Sequence, residues 1–113
     1  MKDGIFDLSD SEAEISRLER PASTRSWTTP DGTILELLVP ATVYPPREDT
    51  DLLCRALRSI GPGKGKRLLE IGCGSGAASL YASSLGYNTR ACDINPYAVA
   101  ATRKNAATWG FSI

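Results

Sequence analysis

The chain has 113 residues, enough for one domain with a modest core, and its composition is that of an ordinary globular protein. Thirteen basic and thirteen acidic side chains give a net charge of zero, which offers no overall electrostatic attraction for nucleic acid or for a membrane surface. The sequence contains no histidine, so a Ser-His or Cys-His nucleophilic pair is excluded within this chain.

The cysteines and the N-terminus bear on the cellular compartment. Cys54, Cys73 and Cys92 follow neither a metal-binding nor a redox spacing, so we expect reduced, small, buried side chains and no metal site. No apolar signal-peptide region follows Met1, and no apolar run approaches the roughly 20 residues of a membrane span. We therefore expect a cytoplasmic protein that does not enter a membrane, and we do not expect nucleic acid among its partners.

Residues 1–25 are polar and are predicted to form an N-terminal extension. Ser9 or Asp10 can cap a short helix there, in which Ile15 and Leu18 share one face. The helix would lie on the surface and end before Pro21.

The domain is predicted to occupy residues 26–113 and to begin with a β-hairpin over residues 26–40. Its turn, Thr-Pro-Asp-Gly at positions 29–32, has proline second and glycine fourth, as β-turns favour. Ser26–Thr28 and Thr33–Val39 would be the two strands. Trp27 is expected to pack rather than to stack on a nucleic-acid base, since no basic and aromatic residues cluster around it.

A helix is predicted to start near Arg47, after an extended segment that contains three prolines. Its apolar side chains recur at helical spacing and would form one face: Leu52, Leu53, Ala56, Leu57 and Ile60. The glycine-rich run at residues 61–66 ends the helix.

The central feature of the sequence is the run Leu-Leu-Glu-Ile-Gly-Cys-Gly-Ser-Gly at residues 68–76. Leu68–Ile71 predicts a short strand buried on both faces, because the run is apolar apart from one acid. A helix is expected to follow to about Leu85, where Gly86 ends it. The three glycines between them let the backbone turn sharply and approach a ligand closely, so the segment predicts a nucleotide-type pocket.

Two details distinguish this loop from a dinucleotide site. The spacing of Gly72, Gly74 and Gly76 is G-x-G-x-G, whereas dinucleotide-binding loops are G-x-G-x-x-G. Glu70 lies two residues before the first glycine, and a carboxylate there would repel a pyrophosphate but attract a cationic ligand. S-adenosylmethionine carries a sulfonium and an ammonium and no phosphate, so these features favour it over NAD.

A second strand is predicted at residues 88–93, with Asp93 at its C-terminal end, about 20 residues after the glycine loop. A carboxylate there can accept hydrogen bonds from both ribose hydroxyls, although Asp93 could also merely begin the next turn. Asn95 and Pro96 are a typical helix start, and Gly110 would close that helix. Residues 47–110 are therefore predicted as a cofactor-binding unit, after which residues 111–113 could begin a third strand.

Three segments together resemble the HemK/PrmC-type methyltransferases, in particular the branch without a separate N-terminal helical domain. They are Val43–Thr50 (Val-Tyr-Pro-Pro-Arg-Glu-Asp-Thr), Leu69–Gly76 and Asp93–Pro96. The resemblance implies an α/β, Rossmann-like class I methyltransferase fold with S-adenosylmethionine as methyl donor. It also implies the cofactor contacts, which are the methionine part at Glu70, Gly72, Cys73, Gly74 and Gly76, the ribose at Asp93, the adenine at Ile94, and a further contact from Thr50.

The same resemblance implies a protein substrate, usually the side-chain amide of a glutamine in a peptide-release factor, and sometimes an activating subunit. However, the family's catalytic Asn-Pro-Pro-Tyr motif does not occur in this sequence. Only the first two of the seven strands of a class I domain, and their helices, are predicted here. We therefore expect a truncated fold with no catalytic residue of its own, and a chain that does not transfer methyl groups by itself.

Two alternatives remain at this point. The chain could be the NAD-binding half of an oxidoreductase, against which Glu70 and the glycine spacing argue. It could also be a non-catalytic, Rossmann-like module that acts through protein contacts, made by the hairpin or by the N-terminal extension.

Overall fold

The computed structural model describes residues 22–113. They form four strands and three helices: β1 (Ser23–Thr28), β2 (Ile34–Val39), α1 (Glu48–Ile60), β3 (Arg67–Ile71), α2 (Ala77–Ser84), β4 (Asn88–Cys92) and α3 (Pro96–Thr108). The elements predicted from residue 26 onward are therefore present in the predicted order. The N-terminal helix predicted around Ser9 to Leu18 lies outside the described residues.

The hairpin forms a two-stranded antiparallel sheet. β1 and β2 pair from Ser23 opposite Val39 to Thr28 opposite Ile34, and the turn is closed by hydrogen bonds between Thr29 and Thr33 and between Gly32 and Thr29. The first strand begins three residues earlier than predicted, so the proposed boundary between residues 25 and 26 falls inside β1. Pairing with β2 continues past Ser26 to Ser23, and sequence pattern alone did not reveal that extension.

The second sheet consists of β3 and β4, which pair in parallel across the connection through α2. Its two strands place the glycine loop and Asp93 at the same carboxyl edge, as the pattern predicted. The expectation that β3 is buried on both faces was wrong. Leu68 and Glu70 are partly covered, whereas Leu69 is 60% and Ile71 is 79% exposed, because nothing within residues 22–113 covers their face.

Helix α1 buries only part of the apolar face that the sequence predicts. Cys54 is fully buried and Leu57 is partly buried against the core, but Leu52, Leu53 and Ile60 are exposed. Polar contacts add to this packing, such as the hydrogen bond that the Trp27 indole donates to Asp51 at 2.9 Å. The apolar periodicity was real, but in the described part of the chain only one edge of that stripe is covered.

The core lies between the hairpin and the helices, with α2 at its centre. Six consecutive residues of α2, Ala77–Ala82, are buried, because the helix is packed against α1, α3 and both strands of the parallel sheet. Trp27 belongs to this core, which confirms its predicted packing role. The buried hydrophobic cluster comprises Trp27, Leu35, Leu37, Val39, Val43, Cys54, Ala77, Ala78, Leu80, Tyr81, Ala98 and Ala106.

The structure also bears on three smaller expectations. Residues 111–113 form no strand within the described chain, and Phe111 and Ile113 pack against the core instead. Cys54 and Cys73 are buried as expected, but Cys92 is exposed because its side chain lies on the uncovered face of β4. No helix among residues 22–113 combines the length and the apolar character that crossing a bilayer requires.

Candidate functional site

The glycine loop has the backbone conformation that its sequence suggests. Gly72, Gly74 and Gly76 all have positive φ, at 79°, 56° and 92°, a region that residues with a Cβ rarely adopt. The loop is fixed to the neighbouring strand at its start, because the amides of Gly72 and Cys73 both donate to the carbonyl of Cys92, at 2.8 and 3.1 Å. The first turn after β3 is thus held against the end of β4.

Asp93 bridges the two loops that follow the parallel strands. One carboxylate oxygen accepts a hydrogen bond from the Gly74 amide at 3.0 Å, and the other accepts from the Asn95 amide at 2.9 Å. Each oxygen of an ionised carboxylate has about two acceptor positions, so each retains one for a further donor. Asp93 therefore shapes the site and can still accept hydrogen bonds from a ligand.

Glu70 lies on the partly covered face of β3, beneath α2. The buried hydroxyl of Ser79 donates to its carboxylate at 2.5 Å. Burial raises the pKa of Glu70 above its ordinary value, and the charge of Asp93 adds to the rise, whereas the hydrogen bonds at Ser79 oppose it. The ionised form of Glu70 is therefore less favourable here than in water, and a nearby positive charge would stabilise it.

The cleft between the glycine loop and the proline-containing segment has a volume of about 580 Å³. One wall is formed by residues 42–47, Asp49, Thr50 and Leu53, the other by residues 70–75, Ala77, Ala78, Asp93, Asn95 and Ala98. The walls are tied together by Asn95. Its side chain caps α3 by accepting from the Tyr97 amide at 2.9 Å, and its amide nitrogen donates to Thr42 across the cleft.

The charge of the cleft is asymmetric. Asp49, Glu70 and Asp93 contribute three carboxylates to its lining, and Arg47 is the one basic residue among its described lining residues. Such an arrangement suits a ligand with more positive than negative groups, provided that its negative group can reach Arg47. A pyrophosphate is negatively charged, so the three carboxylates would repel it and, of the described lining residues, only Arg47 would attract it.

Six of the eight predicted site residues line this cleft: Thr50, Glu70, Gly72, Cys73, Gly74 and Asp93. Gly76 is buried and does not line it, and a Cβ at this position would lie 2.9 Å from the Thr102 side chain. Ile94 is fully exposed beside Asp93 and is likewise outside the lining. The structure thus brings most of the predicted residues together and gives Gly76 a packing role.

Cys73 is in the loop but is not arranged as a reactive thiol. Its side chain is 7% exposed, and burial raises the pKa of the thiol, with further increases from Asp93 and Glu70. The hydroxyl of Thr102 lies 3.3 Å from its sulfur and 3.1 Å from the Gly74 carbonyl. At neutral pH the thiol is protonated and acts as a small packing group.

Sequence reasoning missed several residues that build the site. Arg47 and Asp49 belong to the segment that carries the family resemblance, but neither was predicted as a site residue, although both line the cleft. Thr102 and Asn105 hold the glycine loop from α3. A polar side chain on the small-residue face of that helix, beside Ala98, Ala101 and Ala106, was the signal that could have indicated Asn105.

The glycine loop and Asp93 lie in a part of the chain that matches a known protein family. The model of a family described as "Tellurite resistance protein TehB" matches residues 48–108, which is more than half of the chain. The chain belongs to this family. A curated relative, the ribosomal protein L11 methyltransferase of Wolinella succinogenes, is 32% identical over 84 residues.

The two matches place the chain among the class I, S-adenosylmethionine-dependent methyltransferases. Neither match singles out the HemK/PrmC-type branch. The alignment with the Wolinella protein covers 73% of this chain but only 30% of that relative's length. The chain thus spans less than a third of the length of the curated relative that it matches.

Proposed function

We propose that the cleft binds S-adenosylmethionine and that this chain provides the cofactor-binding part of a methyltransferase. The observation that carries the proposal is the pairing of Glu70 and Asp93 at the carboxyl ends of β3 and β4, on either side of the glycine loop. Membership in a methyltransferase family supports it. When bound, S-adenosylmethionine would supply an electrophilic methyl group on its sulfonium.

The residues of the cleft fit the groups of this cofactor. Asp93 retains acceptor capacity for the ribose hydroxyls beyond its two bonds to the backbone. Glu70 and Asp49 provide negative charge for the ammonium and the sulfonium, and Arg47 provides positive charge for the carboxylate. The exposed side chain of Ile94, next to Asp93, would offer an apolar surface to the adenine.

For the methyl acceptor we propose a nitrogen of a protein side chain. The resemblance of residues 43–50 to the HemK/PrmC type favours the amide of a glutamine, with a peptide-release factor as the substrate. The named relative is a methyltransferase of a ribosomal protein, which supports a protein acceptor of some kind. We assign no side chain of residues 22–113 to the orientation of the acceptor nitrogen against the sulfonium.

The proposal is tested by cofactor affinity in a pair of matched variants. Asp93→Asn removes the charge and one acceptor from the cleft, whereas Asp31→Asn makes the same chemical change in the hairpin turn, outside the cleft. Loss of a hydrogen bond to a charged group is worth about 1.5–3 kcal/mol, so we expect the affinity for S-adenosylmethionine to fall roughly 10- to 100-fold in Asp93→Asn. Equal affinity in both folded variants would overturn the proposal.

A further inference from the structure

Asn105 occupies an unusual position in the described structure, because one side chain joins three separate elements. It lies on α3 and is 2% exposed. Its carbonyl oxygen accepts from the Leu38 amide at 2.8 Å, and its amide nitrogen donates to the carbonyls of Leu38 and Ser75, at 3.0 and 2.8 Å. The amide thus connects the hairpin, the glycine loop and α3.

The contact with the hairpin is a paired one. Both backbone groups of Leu38 bind the same side-chain amide, in the way that the backbone of a neighbouring strand would satisfy them. Leu38 is the second-last residue of β2. Asn105 therefore fixes the end of the strand that leads into the wall of the cleft at residues 42–46.

The contact with the glycine loop is reinforced by a neighbour on the same helix. Thr102 lies within hydrogen-bond distance of the Gly74 carbonyl, and Asn105 donates to the carbonyl of the next residue, Ser75. Residues three apart on a helix share one face, so α3 holds two successive peptide groups of the loop. These peptide groups lie between glycines with positive φ, where the backbone has little intrinsic preference to keep its shape.

We propose that Asn105 is a positioning residue that couples docking of the β1–β2 hairpin to the shape of the glycine loop. Anything that stabilises the loop then stabilises the end of β2, and the reverse follows by linkage. The inference rests on the proposed function in one respect, since the natural ligand that stabilises the loop is taken to be S-adenosylmethionine. The coupling itself is a property of the folded chain without a ligand.

The test compares Asn105→Ala with Trp109→Phe. Trp109 also joins α3 to β2, through a hydrogen bond from its indole to the Glu36 carbonyl at 3.1 Å, but its indole is not hydrogen-bonded to the glycine loop in the described part of the chain. In amide hydrogen exchange without ligand, we expect Asn105→Ala to accelerate exchange both in residues 35–39 and at Gly76. Trp109→Phe should accelerate exchange in the strand alone.

Ligand binding gives the second readout. In the wild-type chain, S-adenosylmethionine should slow exchange in residues 35–39, and Asn105→Ala should abolish that effect and weaken binding about tenfold, within the usual range of coupling between sites. Trp109→Phe should preserve both. Asn105→Ser, which retains a small hydrogen-bonding group, replaces the alanine variant if the latter does not fold.

Three outcomes would overturn the inference. Unchanged exchange at Gly76 in the Asn105 variant would show that the loop does not depend on this side chain. Equal effects of the Trp109 and Asn105 variants on the loop would show general destabilisation, and a wild-type strand unaffected by bound ligand would show that no coupling exists. If the wild-type chain binds no S-adenosylmethionine, the proposed function fails, while the ligand-free exchange experiment still decides the coupling.

Discussion

Substitution of Gly76 by alanine should destabilise the fold more than the same substitution at a glycine with open space around it. The residue has φ of 92°, and an added Cβ would lie 2.9 Å from both Cγ2 and Oγ1 of Thr102. The backbone conformation costs a residue with a Cβ about 1–2 kcal/mol. Overpacking of a filled site adds about 1–3 kcal/mol, so we expect a total loss of about 2–5 kcal/mol in the free energy of unfolding.

Gly32 provides a matched control for the backbone contribution. Its φ is 85°, close to that of Gly76, but a Cβ there would meet nothing within 4 Å. Gly32→Ala therefore carries the same strain and the same change in the unfolded chain without the clash. Urea denaturation followed by circular dichroism should show Gly76→Ala to be less stable than Gly32→Ala by about 1–3 kcal/mol.

A second substitution checks the origin of that difference. Thr102→Ala removes the two atoms nearest to the added Cβ, so the double variant should lose less stability than the sum of the two single variants. Equal losses in Gly76→Ala and Gly32→Ala, or strict additivity with Thr102→Ala, would refute the argument that close packing of α3 on the loop requires this glycine.

Three further predictions concern ionisable groups. The pKa of Glu70 is raised in the folded chain, so folding favours the protonated side chain. The contribution of Glu70 to stability is therefore present below the ordinary glutamate pKa and is lost as pH rises through the raised value and the side chain ionises. Glu70→Gln should thus raise the midpoint of thermal unfolding at pH 7 and flatten its pH dependence, and a lower midpoint at pH 7 would contradict this. Burial raises the pKa of Cys54 to about 12, so native alkylation followed by mass spectrometry should modify the exposed Cys92 rapidly and Cys54 only after unfolding; rapid native labelling of Cys54 would contradict its burial. Tyr81→Phe removes a 2.8 Å hydrogen bond to the Asp31 carboxylate and should cost about 1.5–3 kcal/mol in urea denaturation, whereas an unchanged midpoint would show that the bond contributes nothing.

Preferences of neighbouring residues were sufficient to predict the elements around the site from the sequence. Asn95 caps α3 with Pro96 at its first position, as predicted, because both preferences depend only on neighbouring backbone groups. Asp93 follows β4 directly and lies beside the loop. Parallel pairing of β3 with β4 accounts for that proximity, and the strand–helix–strand pattern was enough to predict it.

Predictions that needed a packing partner were less successful. β3 was expected to be buried on both faces and the apolar residues of α1 to form one face, yet Ile71 is 79% and Leu53 is 47% exposed. Periodicity indicates which side chains could be covered but not what covers them. The role of Asn105 depends on residues 67 and 30 positions away in the chain, and no local pattern connects such distant partners.

A calorimetric titration of the chain with S-adenosylmethionine and with NAD shows whether the cleft beside Glu70 and Asp93 selects S-adenosylmethionine. We predict saturable binding of one S-adenosylmethionine per chain and no measurable binding of NAD, because three carboxylates line the cleft. Binding of NAD in its place would indicate a dinucleotide site, and binding of neither by a folded chain would favour a non-catalytic interaction module. Either result would show that the cleft does not select S-adenosylmethionine.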